Sequence, residues 1–375
     1  MPGEQSLSDV LRNSLMHGDL PFRDFVELAL YHPEFGYYAR AESPVGREGD
    51  FITSPLLSPV FAFALGKLVN EFLSRAGEGV AQIVDIGCGD GALICDLARR
   101  RDGAAPAGED ASAPVFFGLD RNLGRAQPDP HVTYVTSLDE IPPAEARLII
   151  SNELFDALPF ARLVQRGEDL HELWVTERDG ALDWTEREAD ARYDDYFAER
   201  GIELEDGQFA DVSLEWSALY DELCRFVGRG LIVTFDYGLP QTKLFRGRMR
   251  RFGTAAAYSR QRVSRDLLIN PGEQDLTAHI NFDDLRRTGE RQGFATLFFD
   301  VQAKFLLALG AAEHEFLRPI GEVAIDSAEH GMALLEARDD AKRLILPDGI
   351  GADIRVLAQA CRMGGDDWRF QTRLF

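Results

Sequence analysis

The stretch Gln82-Ile-Val-Asp-Ile-Gly-Cys-Gly-Asp-Gly91 decides the fold class. Ile83, Val84 and Ile86 form a short buried-strand run that ends in glycines. Leu93, Ile94 and Leu97 then share one side of a helical pattern over Ala92 to Arg101. Strand, glycine turn and helix open a βαβ unit. Working outward, Val115 to Asp120 predicts a second strand, His131 to Val135 a third and Ala146 to Asn152 a fourth. Leu231 to Asp236 and Ala295 to Val301 predict further strands, with helices over Ser213 to Val227 and Phe282 to Gln292, and Ile354 to Ala360 closes the set. Strands alternating with helices over most of the length give an α/β chain with a Rossmann-like parallel sheet.

The flanks differ from that pattern. Leu7, Val10, Leu11 and Leu15, then Phe22 to Leu30, carry helical periodicity. From Ala161 to Glu186 the apolar residues alternate between turn signals such as Asp179-Gly180, which predicts inserted antiparallel strands. Asp190 to Gln208 is acidic and is expected to be solvated, and Asp102 to Pro114 reads as a surface loop. The expected organisation is an N-terminal helical segment with a covering loop (1–75), a Rossmann-like core (76–160), an inserted β/helical subdomain (161–228) and the rest of the core sheet (229–375), with a substrate-side insertion at 241–281.

Charge limits the partners. Forty Lys+Arg against 63 Asp+Glu give a net charge of −23. Phosphate backbones and anionic lipid repel such a chain, so nucleic acid and membranes are not its expected partners, and a basic or neutral substrate fits better. The first 24 residues carry Glu4, Asp9, Asp19 and Asp24 and resemble neither a secretory signal nor a transit peptide. No apolar run approaches the roughly 18 residues of a spanning helix. Cys88, Cys95, Cys224 and Cys361 are scattered, as are the seven histidines, so reduced thiols, a cytoplasmic setting and no metal are expected. The local exception to the acidity is Lys243 to Arg265, which is basic.

Asp85-x-Gly87-x-Gly89-x-Gly91 departs from the dinucleotide pattern G-x-G-x-x-G, because its third glycine comes too early and an acid precedes the first. S-adenosylmethionine has no phosphate to seat; it carries an ammonium and a sulfonium. Asp85 beside the turn suits its amino-acid end, and Asp120 at the next strand end suits its ribose hydroxyls. Gly87, Gly89 and Gly91 let the cofactor approach the backbone closely.

Further motifs occur in order: Tyr31-His-Pro-Glu-Phe-Gly-Tyr-Tyr38, Gly49-Asp-Phe-Ile-Thr-Ser-Pro55, Asn152-Glu-Leu-Phe-Asp-Ala-Leu-Pro159, Phe235-Asp-Tyr-Gly238, Pro271 to Phe282 and Leu346 to Gly351. Together they resemble the MidA-like class I methyltransferases over nearly the whole chain. The resemblance implies S-adenosylmethionine as cofactor and transfer to a protein arginine. Two departures stand out. The turn Asp-Ile-Gly-Cys-Gly-Asp-Gly replaces the family's E-L-G-P-G-x-G, and Gln261 stands where the family carries a histidine.

Methyl transfer needs a nucleophile placed about 3 Å from the methyl carbon and a group to take its proton. A guanidinium acceptor is permanently charged, so carboxylates must localise that charge. Glu153 and Asp156 follow the fourth strand and face one cleft if the chain turns helically there; Asp156 equally suits a helix cap. Asn152 and Thr53 join the expected cofactor residues, and Asp50 and His279 the catalytic ones, with Asp275 and Tyr237 near substrate. A small-molecule O- or N-methyltransferase and a non-catalytic cofactor-binding assembly factor remain open readings of the residues, as does a homodimer.

Overall fold

The computed structural model describes residues 6–40, 46, 53–102, 113–319, 327–364 and 367–371. The chain divides into two compact units, one of 1–51, 155–218 and 238–284, the other of 52–154, 219–237 and 285–375.

The second unit holds the sheet announced by the glycine turn. Its strands, in chain order, are Ala81–Ile86, Val115–Leu119, Val132–Val135, Ala146–Asn152, Gly230–Leu239, Ala295–Val301 and Ile354–Cys361. In space they run third, second, first, fourth, fifth, seventh, sixth. All neighbours pair in parallel except the seventh, which is antiparallel to both the fifth and the sixth. This is a doubly wound, mostly parallel α/β sheet with the last strand reversed. Ile83, Val84, Leu148 to Ile150 and Leu231 to Val233 are buried, as continuous apolar runs in a sheet covered on both faces should be. The helix Pro59–Ala76 covers the sheet with Phe61, Leu65, Leu68 and Phe72. Its start is fixed by Pro59 at the first position and by the Ser58 hydroxyl, which accepts from the Val60 N–H.

The first unit contains the helices Leu7–Leu15 and Phe22–Tyr31 and the inserted antiparallel strands Ala161–Arg166, Asp169–Arg178, Ala181–Glu188 and Phe209–Val212. Asp179 and Gly180 both take positive φ, the hairpin geometry that this dipeptide favours. The acidic stretch after Asp190 is not merely solvated. It forms the helix Ala191–Arg200, whose Tyr193, Tyr196 and Phe197 are buried, because an apolar stripe within a charged sequence still finds the core. A three-stranded sheet, Arg262–Ser264, Ala256–Ser259 and Asp275–Thr277 in that order, completes the unit. Asp211 anchors its start: the carboxylate binds Arg162 at 2.6 Å and accepts from the N–H groups of Thr254 and Ala255 at 2.6 and 2.7 Å.

Candidate functional site

In the second unit the first and fourth strands lie side by side where the strand order reverses, and open α/β sheets bind ligands beyond the carboxyl ends of strands at such a point. The glycine turn leaves the first strand there. Gly87, Gly89 and Gly91 have φ of 73°, 56° and 80°, a region costly to side-chain-bearing residues. The three are not equivalent. A Cβ on Gly87 would meet Leu154 Cδ1 at 2.9 Å, and one on Gly91 would meet the Tyr134 Oη at 2.1 Å. A Cβ on Gly89 would meet nothing within 4 Å. Gly87 and Gly91 are glycines for packing, whereas Gly89 borders open space and presents its backbone to it.

Three acids surround this turn. Asp90 caps the following helix, accepting from the Ala92 N–H at 3.0 Å. Asp120 accepts from the Gly89 N–H at 2.9 Å and, through its other oxygen, from the Asn122 N–H at 2.9 Å. Each oxygen keeps further acceptor capacity. Asp85 is buried, and burial, reinforced by Asp120 and Asp90, pushes its carboxyl up to about 7. A buried acid held among other acids favours a positively charged ligand.

The end of the fourth strand is held from beside it. Asn152 donates to the Glu153 carboxylate at 3.1 Å, while its buried Oδ1 has no hydrogen-bond partner among the described residues. The chain does not continue helically: Glu153 adopts φ 52°, a left-handed conformation rare outside glycine and costly enough to mark a site. The Glu153 N–H donates to the Phe235 carbonyl at 2.8 Å, and the Leu154 N–H to the fully buried Asp236 carboxylate at 3.2 Å. Asp236 also accepts from the Tyr237 N–H at 2.8 Å, so it is a positioning residue for the Glu153 backbone. Thr53 sits before the short helix Ser54–Leu57, which packs on the helix leaving the glycine turn. Asp50 lies outside the described residues.

Asp156 and His279 belong to the first unit. The Ala278 N–H donates to the Asp156 carbonyl at 3.0 Å, and the His279 N–H to the Thr254 hydroxyl at 3.1 Å. Two residues that periodicity could not single out join them. The Tyr38 hydroxyl donates to the Asp275 carboxylate at 3.0 Å, and its ring stacks on Tyr31 with centroids 5.5 Å apart. Tyr31 in turn donates to the Ala157 carbonyl at 3.0 Å. Burial, then the charge of Asp275, then Tyr31 and Asp156, hold the Tyr38 hydroxyl well above its usual range, so it remains a proton donor. Asp156 and Asp275 are 5% and 3% exposed, which makes this a nearly dry cluster of carboxylates and tyrosines. The sequence signal for it was the pair of motifs Tyr31 to Tyr38 and Pro271 to Phe282, which lie far apart in the chain.

The family model that matches residues 64–299 describes S-adenosyl-L-methionine-dependent methyltransferases. The mitochondrial protein arginine methyltransferase NDUFAF7 homolog of Drosophila melanogaster is 27% identical over 325 residues, covering 78% of this chain and 71% of the fly protein. The protein arginine methyltransferase NDUFAF7 of Homo sapiens is 22% identical, with 77% and 70% covered. A crystal structure from Burkholderia thailandensis, solved with S-adenosyl-homocysteine bound, superposes with a TM-score of 0.83 at 26% identity, covering 98% of this chain and 94% of that one.

Proposed function

Because this chain belongs to the family of S-adenosyl-L-methionine-dependent methyltransferases, we propose that its methyl acceptor is an arginine side chain of a partner protein. The donor side is an enzyme's: the chain uses S-adenosyl-L-methionine. Its residues suit that group on three counts. Gly89 leaves open space at its α-carbon, Asp85 is a buried acid among acids, and the Asn152 Oδ1 is buried without a partner among the described residues. Asp85 would take the amino-acid end, and Asp120 the ribose hydroxyls. When bound, the cofactor supplies a methyl group on a sulfonium, which leaves as a neutral thioether.

The observation that carries the arginine reading is the Tyr38–Asp275 hydrogen bond inside a buried cluster that also includes Asp156. A guanidinium entering a low-dielectric site needs carboxylates to localise its charge on the nitrogens that are not methylated. Tyr38 orients the Asp275 carboxylate, which would localise the guanidinium charge. As the reacting nitrogen takes the methyl group it must lose a proton, and Glu153, held in its left-handed conformation beside the glycine turn's strand, is the carboxylate assigned to receive it. The names of the fly and human relatives agree with an arginine acceptor.

The test is transfer of labelled methyl from S-adenosyl-L-methionine into a cell lysate resolved into protein and small-molecule fractions. Label in the protein fraction that is lost with Glu153→Gln supports the reading. Label confined to small molecules overturns it.

A further inference from the structure

The segment Lys243 to Arg265 contains eight Lys or Arg and no Asp or Glu, so it carries +8 while the rest of the chain carries −31. Lys243, Arg246, Arg248, Arg251, Arg262 and Arg265 are exposed. None of these six forms an ion pair with another described residue. Exposed apolar side chains accompany them: Phe252 is 65% exposed and Val263 63%. Such a concentration of one sign, on a chain of the opposite sign, has a stronger local field than its own neighbours neutralise.

The fold places this charge on a pairing edge. Arg262–Ser264 is the outermost strand of the three-stranded sheet, and all three of its residues are exposed. The hairpin that presents it turns through Arg260 and Gln261 with φ of 49° and 60°, positions normally given to Asn and Gly. Arg265 reaches back to the Gly253 carbonyl at 3.4 Å, tying the hairpin's end to the stretch that follows the arginine turn Gly247–Arg250. Across the sheet Tyr258 pairs with Val263 on one side and with Asp275 on the other. Val263, Tyr258 and Asp275 therefore form one row on one face, with Arg262 on the opposite face. The row runs from the sheet's outer strand to the carboxylate that Tyr38 engages.

We propose that this edge and its arginines dock an acidic stretch of the protein substrate, which pairs along Arg262–Ser264 and brings the acceptor arginine to Asp275. The proposal rests on the arginine reading above and adds the sequence context of that arginine. A segment paired on the edge lies about three strand spacings, roughly 14 Å, from Asp275. At about 3.3 Å per extended residue, the acceptor arginine falls about four or five residues from the acidic stretch. Charged residues also keep sheet edges from pairing with each other, but glutamate would serve that purpose in an acidic chain equally well. Nucleic acid and anionic bilayers share the negative charge, yet both extend well past the Debye length of about 8 Å, over a surface of like sign.

The test uses the full chain and fluorescein-labelled 20-residue peptides with one arginine. One peptide has four Asp or Glu starting four residues away; its match has Asn and Gln instead. Anisotropy should show the acidic peptide binding at least about tenfold tighter at low salt, with the gap shrinking as salt rises. The double variant Arg248→Glu/Arg262→Glu should erase that preference and leave the melting temperature and S-adenosyl-homocysteine affinity unchanged. Equal binding of the two peptides, or a preference that survives the double variant, overturns the proposal. So does tighter binding of a duplex oligonucleotide or of phosphatidylserine vesicles than of the acidic peptide. Binding needs no turnover, so an acid preference without arginine methylation would keep the docking surface and reject the arginine reading instead.

Discussion

Alanine at Gly89 and alanine at Gly91 should fail in different ways. Both positions have positive φ, which costs an alanine about 1–2 kcal/mol. At Gly89 nothing lies within 4 Å of the new methyl, so that cost is the whole effect on folding. Each kcal/mol lowers the melting temperature of a large domain by about 2–4 °C. The methyl would occupy the space that the cofactor needs against the Gly89 backbone, so S-adenosyl-homocysteine should bind at least about tenfold more weakly, a loss of about 1.4 kcal/mol. At Gly91 the methyl would lie 2.1 Å from the Tyr134 Oη. Tyr134 cannot swing away cheaply, because it donates to the Gln127 carbonyl at 3.0 Å and contacts the Cys95 Sγ at 3.1 Å. Overpacking adds about 1–3 kcal/mol, for a total of about 2–5 kcal/mol lost from folding. Thermal melts and calorimetric titration with S-adenosyl-homocysteine separate the two. Wild-type affinity in Gly89→Ala, or equal melting of the two variants, would refute the assignment of Gly89 to ligand and Gly91 to packing.

Three further outcomes follow from the same geometry. Asp85 has a folded-state carboxyl raised to about 7 by burial and by its acidic neighbours, against about 3.9 unfolded; its contribution to ligand-free stability is therefore fully present below about pH 4 and lost as pH rises through 7. Melting profiles of wild type and Asp85→Asn between pH 5 and 8 should diverge in that sense, and S-adenosyl-homocysteine should bind wild type more tightly as pH rises; superimposable profiles would remove Asp85 from this role. Glu153→Gly relaxes a left-handed backbone and should leave the melting temperature equal or higher while methyl transfer falls by about a hundredfold or more. Retained transfer in that variant would mean that the conformation serves packing alone. Tyr38→Phe and Asp275→Asn should each lower kcat on an arginine peptide by about tenfold or more without changing S-adenosyl-homocysteine affinity, and a change confined to that affinity would contradict an acceptor-side role.

The sheet was legible because its strands are continuous apolar runs and its first turn is written in glycines. The reversal of Ile354–Cys361 was not, since a buried strand has the same apolar composition in either direction. Tyr193, Tyr196 and Phe197 carried a helical stripe, but the surrounding acids masked it. For the candidate site, spacing alone proposes Asp85, Asp120 and the glycines, and the place after a strand proposes Glu153. The left-handed turn at Glu153 could not be read that way, because it depends on hydrogen bonds that the Glu153 and Leu154 N–H groups donate to Phe235 and Asp236, some 80 residues later in the chain. Tyr38 and Asp275 are separated by 237 positions and meet only in the fold. The same holds for Tyr134, whose hydroxyl explains why position 91 is glycine.

The chemical identity of the methylated product distinguishes an arginine acceptor from every other. Acid hydrolysis of the protein fraction labelled from S-adenosyl-L-methionine, followed by amino-acid chromatography, measures this directly. Label recovered as methylarginine, and cut by about tenfold or more with Asp275→Asn, is the predicted result. Label recovered as methyl-lysine, or released by mild base as a carboxyl methyl ester, would contradict it.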